Sequence, residues 1–297
     1  MSQRIAPESL VGTELVLAGE RWQISQYLAS GGLAHLYLAR STAHRERPVA
    51  VAKVLRPEAD DRQDARARFD REARAAIRVR HPNVIEVLAP AAQSGGLHFF
   101  LAEHLVGVDL ADLLASQKRL SPSRALRIAI GAARGLEAAH AAGVVHRDVK
   151  PENIFLEHAA DGREIAKIVD FGSAWITGDE SVIPASRRIT VTTGFVGTPG
   201  YVAPEQAEGA VGAPEADVYS LGVVLYELLV GEPPFRGRNW IELVHLHATA
   251  PAPVVRGVSP SLEAAILRAM GKRPPDRFPT MAALAAALAA TPEAAAG

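Results

Sequence analysis

The sequence predicts an α+β fold in which a small antiparallel β-sheet with one helix precedes a larger, mainly helical region. Three observations support this prediction. Alternating apolar residues and glycine turns dominate the first part of the chain. After Gly107, longer apolar stripes with helical spacing take over. With 297 residues, the chain is long enough to bury the core of one bilobal unit or of two small domains.

The first part of the chain is predicted to contain five strands and one helix. Two strands between Trp22 and Leu38 are joined by the turn Ser30-Gly31-Gly32, and an almost continuously apolar strand covers 49–55. Two further strands, 84–88 and 97–102, flank a turn at Gly95-Gly96. The helix is expected over 61–79, with an apolar stripe formed by Phe69, Ala73, Ala76 and Ile77.

The second part is predicted to be helical, because capping residues and glycines bound several apolar stripes. The expected helices are one starting at Asp109 and those over 121–143, 217–230, 259–271 and 280–290. In terms of domains, we expect a lead-in over 1–21, one domain over 22–290 with lobes of about 22–103 and 104–290, and a short tail over 291–297.

Composition excludes several classes of protein. The 32 basic and 33 acidic residues nearly balance, so nothing favours nucleic acid or an anionic membrane surface as a partner. The chain has no cysteine, which excludes disulfides, thiolate metal sites and thiol nucleophiles. Glu14 and Glu20 interrupt the apolar run near the start, and no later run reaches the ~20 residues that a bilayer crossing needs. We therefore expect a soluble, cytoplasmic chain without a membrane segment.

The stretch from His146 to Asn153 combines an acid, a base and an amide without apolar periodicity. Pro151 excludes a helix through it, so the stretch is expected to be a loop. The Asp148 carboxylate can accept a proton, the Lys150 ammonium can stabilise nearby negative charge, and Asn153 offers an oxygen suited to a hard divalent cation. A solvated polar turn would explain the same residues without chemistry.

Three other features suggest a phosphate and metal site. Lys53 interrupts an apolar strand, and Glu72, beside the apolar stripe of the predicted helix, is its natural counter-ion; two unrelated surface charges are the alternative. The glycines at 31 and 32 allow backbone amides to approach phosphate oxygens, although a glycine pair is often only a turn. Asp170-Phe171-Gly172 places an acid at a strand end beside a hinge, as a metal ligand requires.

These motifs together resemble those of protein kinases, in particular the bacterial Hanks-type serine/threonine kinases. The resemblance covers about 27–288 and rests on residues that occur in the family's order and spacing: Gly31, Lys53, Glu72, Asp148, Lys150, Asn153, Asp170, Glu205, Asp217 and Arg277. The segment 197–205 resembles the end of the kinase activation segment. The chain departs from the family pattern at Ala29 and Ala34, where the outer glycines of the glycine-rich loop usually stand, and at Ala76, where a larger residue is usual.

The resemblance implies a bilobal kinase fold and ATP-dependent phosphorylation of serine and threonine hydroxyls on proteins, with Mg²⁺ or, in its place, Mn²⁺. The implied catalytic residues are Asp148, Lys150, Lys53 and Glu72, and the implied metal ligands are Asn153 and Asp170. The implied nucleotide-binding residues come from the glycine-rich turn, strand and hinge: Leu28, Ala29, Ser30, Gly31, Gly32, Leu33, Ala34, His35, Leu36, Val51, Lys53, Ala102, Glu103, Leu105, Asp109 and Phe155.

Regulation and partners follow from the same resemblance. Thr190, Thr192 and Thr193 are candidates for activating autophosphorylation, and the resemblance allows a transient homodimer for that reaction. Ala102, before the hinge glutamate, either leaves a pocket open or is covered by a bulky neighbour such as Phe99 or Leu88. Two alternatives stay open: a pseudokinase scaffold, which the unusual alanines favour, and a small-molecule phosphotransferase of the same fold.

Overall fold

The computed structural model describes residues 6–42, 49–60, 63–178, 199–210 and 212–295. These residues form two compact units, the first from Met1–Arg80 with Ile85–Leu105 and the second from His81–Val84 with Val106–Gly297. The first contains an antiparallel sheet with a helix, and the second is mainly helical. The predicted α+β fold class is therefore confirmed.

The first unit is built on a six-stranded sheet with the order β1-β2-β3-β4-β6-β5, in which every neighbouring pair is antiparallel. Its strands are β1 Glu14–Leu17, β2 Glu20–Ser30, β3 Ala34–Ser41, β4 Ala50–Leu55, β5 Ala92–Ser94 and β6 Leu97–Glu103. The turn between β5 and β6 needs Gly95 and Gly96, because their φ angles of +57° and +80° disfavour other residues. Strand β1 begins before Trp22, where the first strand was expected.

Helices α1 Pro57–Asp60 and α2 Gln63–Ile77 follow strand β4, and a 3-10 helix, Pro7–Leu10, precedes the sheet. The alternation of strand β6 separates its side chains into two sets. Phe99 and Leu101 lie in the apolar core cluster of the sheet together with Tyr37 of β3. His98 and Phe100 point to the opposite face, where both rings contact Phe69 of α2. Helix α2 thus lies on the face that also carries Lys53.

The predicted strand over 84–88 is wrong. Val84 forms an isolated parallel bridge with Ile168, and Val87 forms an isolated antiparallel bridge with Ala102. The two ends of this apolar segment therefore pair with different partners, so no continuous ladder forms between them. Periodicity alone did not reveal this division, because both bridges bury apolar side chains as a strand would.

The second unit is mainly helical, and its helices are α3 Leu110–Gln117, α4 Pro122–Ala141, α5 Pro204–Ala207, α6 Pro214–Val230, α7 Trp240–Thr249, α8 Pro260–Ala269, α9 Met281–Ala289 and α10 Pro292–Ala295. Asp109, Ser259 and Thr280, where helices were expected to begin, each accept a hydrogen bond from a backbone N–H of the first turn. The cap expected from Ser121 is wrong, because its side chain makes no such bond at the start of α4. Helix α7 was not predicted.

Short strands of the second unit carry the loop that holds the predicted catalytic residues. Strands β7 Gly107–Asp109, β9 Ile154–His158 and β10 Glu164–Ile168 form one sheet in the order β10-β9-β7, and β8 Val144–Val145 pairs with β11 Trp175–Ile176. The loop between β8 and β9 ends in a 3-10 helix, Pro151–Asn153, and another 3-10 helix spans Pro274–Asp276. Among the described helices, none is long and apolar enough to cross a membrane.

A buried polar cluster joins helices α6 and α7. His247 is fully buried, and the Tyr219 hydroxyl lies 2.9 Å from its Nδ1. The Lys272 ammonium donates to the His247 carbonyl over 2.7 Å and lies 4.5 Å from the centre of the Phe235 ring. Burial, and to a smaller extent the charge of Lys272, lower the pKa of His247 from 6.5 to about 4. The fold therefore holds this imidazole neutral.

This burial predicts a pH dependence of stability. Between pH 6.5 and 4 the unfolded chain binds a proton at His247 that the folded chain does not, so His247 lowers the free energy of unfolding as the pH falls through this window. The full effect is roughly 3 kcal/mol. Urea unfolding of His247→Gln should lose this part of the pH dependence, whereas His245→Gln, at an exposed position of the same helix, should retain it. Equal slopes for the wild type and His247→Gln would contradict the assignment.

Candidate active site

The glycine turn joins strands β2 and β3 of the first unit. Gly31 donates its N–H to the Ala34 carbonyl over 2.8 Å, and Ala34 is buried at the start of β3. Neither Gly31 nor Gly32 has a positive φ angle, and a Cβ on either would meet no atom closer than 3.6 Å. The fold itself therefore does not require glycine here. Open space around the backbone of the turn is what a phosphate-binding loop needs.

The residues flanking this turn form a polar network that the sequence did not predict. The Ser30 hydroxyl lies 2.7 Å from His35 Nδ1 and 2.8 Å from the Tyr27 hydroxyl. Ser30 and His35 are directly paired across the two strands. His35 is buried, and burial, followed by the charge of Arg56, lowers its pKa. This network ties the two strands together at the base of the turn.

Lys53 and Glu72 meet in the first unit as predicted. Lys53 Nζ donates to Glu72 Oε1 over 2.5 Å, and the two side chains are 22% and 12% exposed. The ammonium also lies 5.9 Å from the centre of the Phe100 ring, on the face of the sheet that carries α2. An ion pair this far removed from water needs both partners, because removal of one leaves a buried charge unpaired.

The end of strand β6 carries the predicted hinge residues. Ala102 is buried and pairs with Val51 of β4, and Glu103 Oε1 accepts a hydrogen bond from the Glu86 N–H. Phe99 points to the opposite face of the sheet, and the Leu88 side chain is 43% exposed. Phe99 therefore does not cover Ala102, whose neighbours across the sheet are Val51 and Val87.

The predicted catalytic loop brings its three polar side chains together. Lys150 Nζ donates to Asp148 Oδ2 over 2.9 Å. The Asn153 amide nitrogen donates to the Asp148 carbonyl over 2.8 Å and lies 3.2 Å from Asp148 Oδ2. The Asp148 and Lys150 side chains are 15% and 19% exposed. The loop therefore presents a hydrogen-bonded carboxylate at a site that is only partly open to water.

Asp217 of helix α6 binds the backbone of this loop. It is fully buried, and its oxygens accept hydrogen bonds from the backbone N–H groups of His146 and Arg147 over 2.9 and 2.8 Å. His140 Nε2 of α4 lies 2.7 Å from the same carboxylate. Burial opposes ionisation, but the bond from His140, the charges of His140 and His146 and the Arg147 N–H together lower the pKa of Asp217. The carboxylate thus fixes the loop backbone beside Asp148.

Asp170, Phe171 and Gly172 lie next to the same loop. The Val169 N–H donates to the Asn153 carbonyl over 3.0 Å, which places Asp170 directly after a residue bonded to the loop. Asp170 has a φ of +60°, and its Oδ1 accepts a bond from the Gly172 N–H. Phe171 is fully buried, with its ring 4.9 Å from that of His146. The two predicted metal ligands, Asn153 and Asp170, are therefore carried by connected segments.

Comparison with known proteins identifies the family. Residues 22–287 match the family profile described as protein kinase domain. The chain belongs to the protein kinase family. It is 38% identical over 264 residues to the serine/threonine-protein kinase pkn3 of Myxococcus xanthus. This alignment covers 86% of this chain and 47% of that protein.

Further similarity is to the serine/threonine-protein kinase PknB of Mycolicibacterium smegmatis, at 35% identity over 277 residues, and to PknB of Mycobacterium tuberculosis, at 34% over 277 residues. Each alignment covers 91% of this chain and 42% of the relative. The chain thus spans less than half of the length of the curated relatives it matches. The resemblance to bacterial serine/threonine kinases drawn from the sequence is confirmed.

The kinase family implies a nucleotide and a divalent metal, and the donor set fits both. Asn153 and Asp170 offer an amide and a carboxylate oxygen, the hard ligands that Mg²⁺ accepts. Among the described residues, no cluster of three or more His, Asp or Glu side chains could hold a metal ion. Asn153 and Asp170 would therefore hold the metal, which would supply positive charge beside the phosphates of the nucleotide.

A second buried ion pair is formed by Glu205, the last residue of the segment that resembles the end of the kinase activation segment. Arg277 is 1% exposed, and its two terminal nitrogens donate to the two carboxylate oxygens of Glu205 over 2.6 and 2.7 Å. It also donates to the carbonyls of Gly271 and Glu215. Glu205 and Arg277, two residues on which the resemblance rests, are therefore paired. Gly197, Thr198 and the three candidate phosphorylation sites lie outside the described residues.

Two polar contacts of the second unit escaped sequence reasoning. His140 contacts Asp217, as described above, and the Tyr201 hydroxyl donates to Glu227 Oε2 over 2.6 Å. Burial and the hydrogen bond with Glu227 raise the pKa of Tyr201. The partners are 77 and 26 residues apart; His140 stands in no motif, and the activation-segment motif that contains Tyr201 does not name a partner for it. The one available signal was Glu227, which interrupts the apolar run of helix α6.

Breaking the Glu205–Arg277 pair should destabilise the second unit strongly. Arg277→Met leaves a partly buried carboxylate without its partner, and we expect the free energy of unfolding to fall by about 3–5 kcal/mol. Arg273→Met is the matched control, because Arg273 forms an exposed pair with Asp276 three residues away and should change stability little. Urea unfolding of both variants measures the difference. Similar small losses in the two variants would show that the buried pair contributes no more than the exposed one.

Proposed function

We propose that this kinase domain transfers the γ-phosphoryl group of ATP to serine and threonine hydroxyls of protein substrates. The observation that carries the proposal is the Asp148 carboxylate, held by Lys150 and Asn153 on a loop whose backbone is fixed by Asp217. The names of the relatives, serine/threonine-protein kinases, support the same substrate class.

Asp148 accepts the proton of the attacking hydroxyl or orients that hydroxyl for in-line attack. The bond between the hydroxyl oxygen and the γ-phosphorus forms while the bond from this phosphorus to the ADP oxygen breaks. Lys150, bonded to the same carboxylate, stabilises the negative charge of the transferring group. The partial burial of both side chains strengthens these interactions relative to water.

The first unit supplies groups for the nucleotide. Lys53, oriented by Glu72, binds the α- and β-phosphates, and the backbone of the glycine turn approaches the phosphates. For the adenine and ribose, the first unit would supply Val51, Ala102, Glu103 and Leu105, and the second unit Asp109 and Phe155. One oxygen of Asp109 already caps helix α3, so its other oxygen is the one that meets the ribose.

Asn153 and Asp170 would hold the divalent metal, Mg²⁺ or in its place Mn²⁺. When bound, the metal neutralises phosphate charge. The Asn153 amide nitrogen donates to the Asp148 carbonyl, so the amide oxygen is the atom left to bind the metal. This arrangement makes Asn153 a link between the metal and the catalytic carboxylate.

Regulation is proposed through the activation segment. Arg147 precedes Asp148, and a phosphate carrying about −1.5 to −2 charge pairs well with a guanidinium. Phosphorylation at Thr190, Thr192 or Thr193 would therefore raise activity. A transient homodimer is the natural arrangement for that autophosphorylation, because one copy then serves as the substrate of another.

The central test is Asp148→Asn. Purified wild type incubated with Mg-ATP should gain phosphate on serine or threonine, whereas Asp148→Asn should lose about 10²–10⁴-fold in rate, since it cannot act as a base. Intact-mass and peptide mass spectrometry measure both the rate and the sites. Asp161→Asn, an exposed carboxylate of the second unit, is the control and should remain active.

The same experiment separates the alternatives. Undiminished activity of Asp148→Asn would contradict the mechanism. A wild type that binds nucleotide but phosphorylates no protein would be a scaffold, and transfer to a metabolite alone would indicate a small-molecule phosphotransferase. Unphosphorylated Thr190, Thr192 and Thr193 in an active preparation would remove the proposed regulation only.

Ala102 predicts a sensitivity to enlarged adenine analogues. Phe99 faces the opposite side of the sheet, and alanine is smaller than the residue that most kinases carry at this position, so we expect space for an enlarged ligand beside Ala102. An analogue with a bulky aromatic group should inhibit the wild type at least ~10-fold better than Ala102→Met, while both use ATP. Ala67→Met, at an exposed position of α2, is the control. Equal inhibition of wild type and Ala102→Met would show that the space does not exist.

A further inference from the structure

Helix α2 is bonded to the sheet of the first unit by two carboxylates. Glu72 accepts from Lys53 of strand β4, and Asp70 Oδ1 lies 2.6 Å from His98 Nε2 of strand β6. Strands β4 and β6 are neighbours in the sheet. The family motifs account for the first contact, whereas the second contact belongs to no motif in the sequence.

The two carboxylates lie on opposite sides of the apolar stripe of α2. Successive residues of a helix are rotated by about 100° around its axis. Viewed down the axis, Asp70 therefore lies about 100° to one side of Phe69, and Glu72, three residues after Phe69, lies about 60° to the other side. Phe69 and Ala73 lie between them, and both are buried. A helix bonded on one side only can rotate about its axis, but bonds on both sides oppose rotation in either direction.

The apolar contacts of α2 alone resist rotation poorly. Apart from Phe69, its buried apolar side chains are alanines: Ala65, Ala73, Ala75 and Ala76. Short side chains interlock little with the residues beneath them, so rotating the helix removes few contacts. Phe69 contributes the largest one, since its ring lies 5.4 Å from that of His98 and 5.0 Å from that of Phe100.

Burial of the His98 ring lowers the stability of the folded chain. His98 is 8% exposed, and its Nδ1 has no hydrogen-bond partner among the described residues. A buried polar atom without a partner lowers stability, and an apolar ring would fill the same place against Phe69 without that cost. Stability alone therefore does not explain a histidine here, whereas the bond to Asp70 does.

We propose that Asp70 and His98 form a positioning pair that fixes the rotation of α2 and so keeps Glu72 bonded to Lys53. The pair touches neither substrate nor nucleotide and acts through Glu72. This inference rests on the proposed role of Lys53 and Glu72 in binding the phosphates of ATP.

A double-mutant cycle tests the pair. Asp70→Asn and Glu72→Gln are made singly and together, and kcat and KM for ATP are measured with a protein or peptide substrate. If Asp70 acts through Glu72, Asp70→Asn should reduce kcat/KM about 10-fold in the wild type and less than about 2-fold in Glu72→Gln, because the contact it supports is already lost. Ala67→Gln, at an exposed position of the same helix, should change nothing.

A second variant separates positioning from stability. Asp70→Leu combined with His98→Phe replaces both polar groups by apolar ones, which is expected to keep or raise the melting temperature. If the pair positions the helix, this variant should stay folded and still lose about 10-fold in kcat/KM. Full activity in this folded variant would overturn the proposal, as would equal effects of Asp70→Asn with and without Glu72→Gln.

Different results would contradict the role of Glu72 and the positioning pair. Unchanged kcat/KM in Glu72→Gln would remove the proposed role of Glu72, and the positioning pair with it. Impaired Glu72→Gln beside a fully active Asp70→Asn would remove the positioning pair alone and leave the proposed phosphate site intact.

Discussion

The buried carboxylate of Asp217 is the interaction on which the rest of the second unit depends. A fully buried carboxylate is costly unless hydrogen bonds replace its water, and here three donors do so: two backbone N–H groups of the catalytic loop and the His140 ring. Because these donors come from two different segments, one charge joins α4, α6 and the loop. The loop cannot shift without leaving that charge unsatisfied.

This constraint explains why the loop tolerates backbone strain. Arg147 has a φ of +68°, a conformation that costs a residue with a side chain of order 1–3 kcal/mol. The bond from its N–H to Asp217 offsets the cost, because releasing the strain would break it. Asp170 is held in the same way, with a φ of +60° and its own carboxylate bonded to the Gly172 N–H. Both strained residues lie next to or within the groups proposed to do chemistry, where strain fixes the direction of a side chain.

Sequence reasoning succeeded where a local rule decides the structure. The helix start at Pro260 followed from Ser259-Pro260, and the pairing of Lys53 with Glu72 followed from a charge inside an apolar strand. The segment 84–88 failed because each end pairs with a different partner, which periodicity does not record. Helix α7 was missed although Asn239 and Glu242 provide a cap and its N–H partner, because its apolar residues are mostly only half-buried and gave no core stripe.

The site divides in the same way. Residues within one motif, such as Asp148, Lys150 and Asn153, could be assigned from spacing, since the loop itself brings them together. Contacts such as His98 with Asp70, or His140 with Asp217, join elements 28 and 77 residues apart. They depend on the direction in which a helix faces a strand or another helix. No local sequence rule relates the two residues of such a contact, so the sequence gives no reason to pair them.

In each of the two units, a buried charge is paired with an opposite charge. Lys53 with Glu72, and Arg277 with Glu205, are ion pairs that apolar residues of equal volume could replace with little loss or even a gain of stability. Such pairs define direction better than apolar contacts do, because a hydrogen bond weakens steeply when its angle or length changes. The alanine-rich face of α2 and the strained catalytic loop both need that directional control. Their polar contacts are therefore better explained by the geometry they impose than by the stability they add.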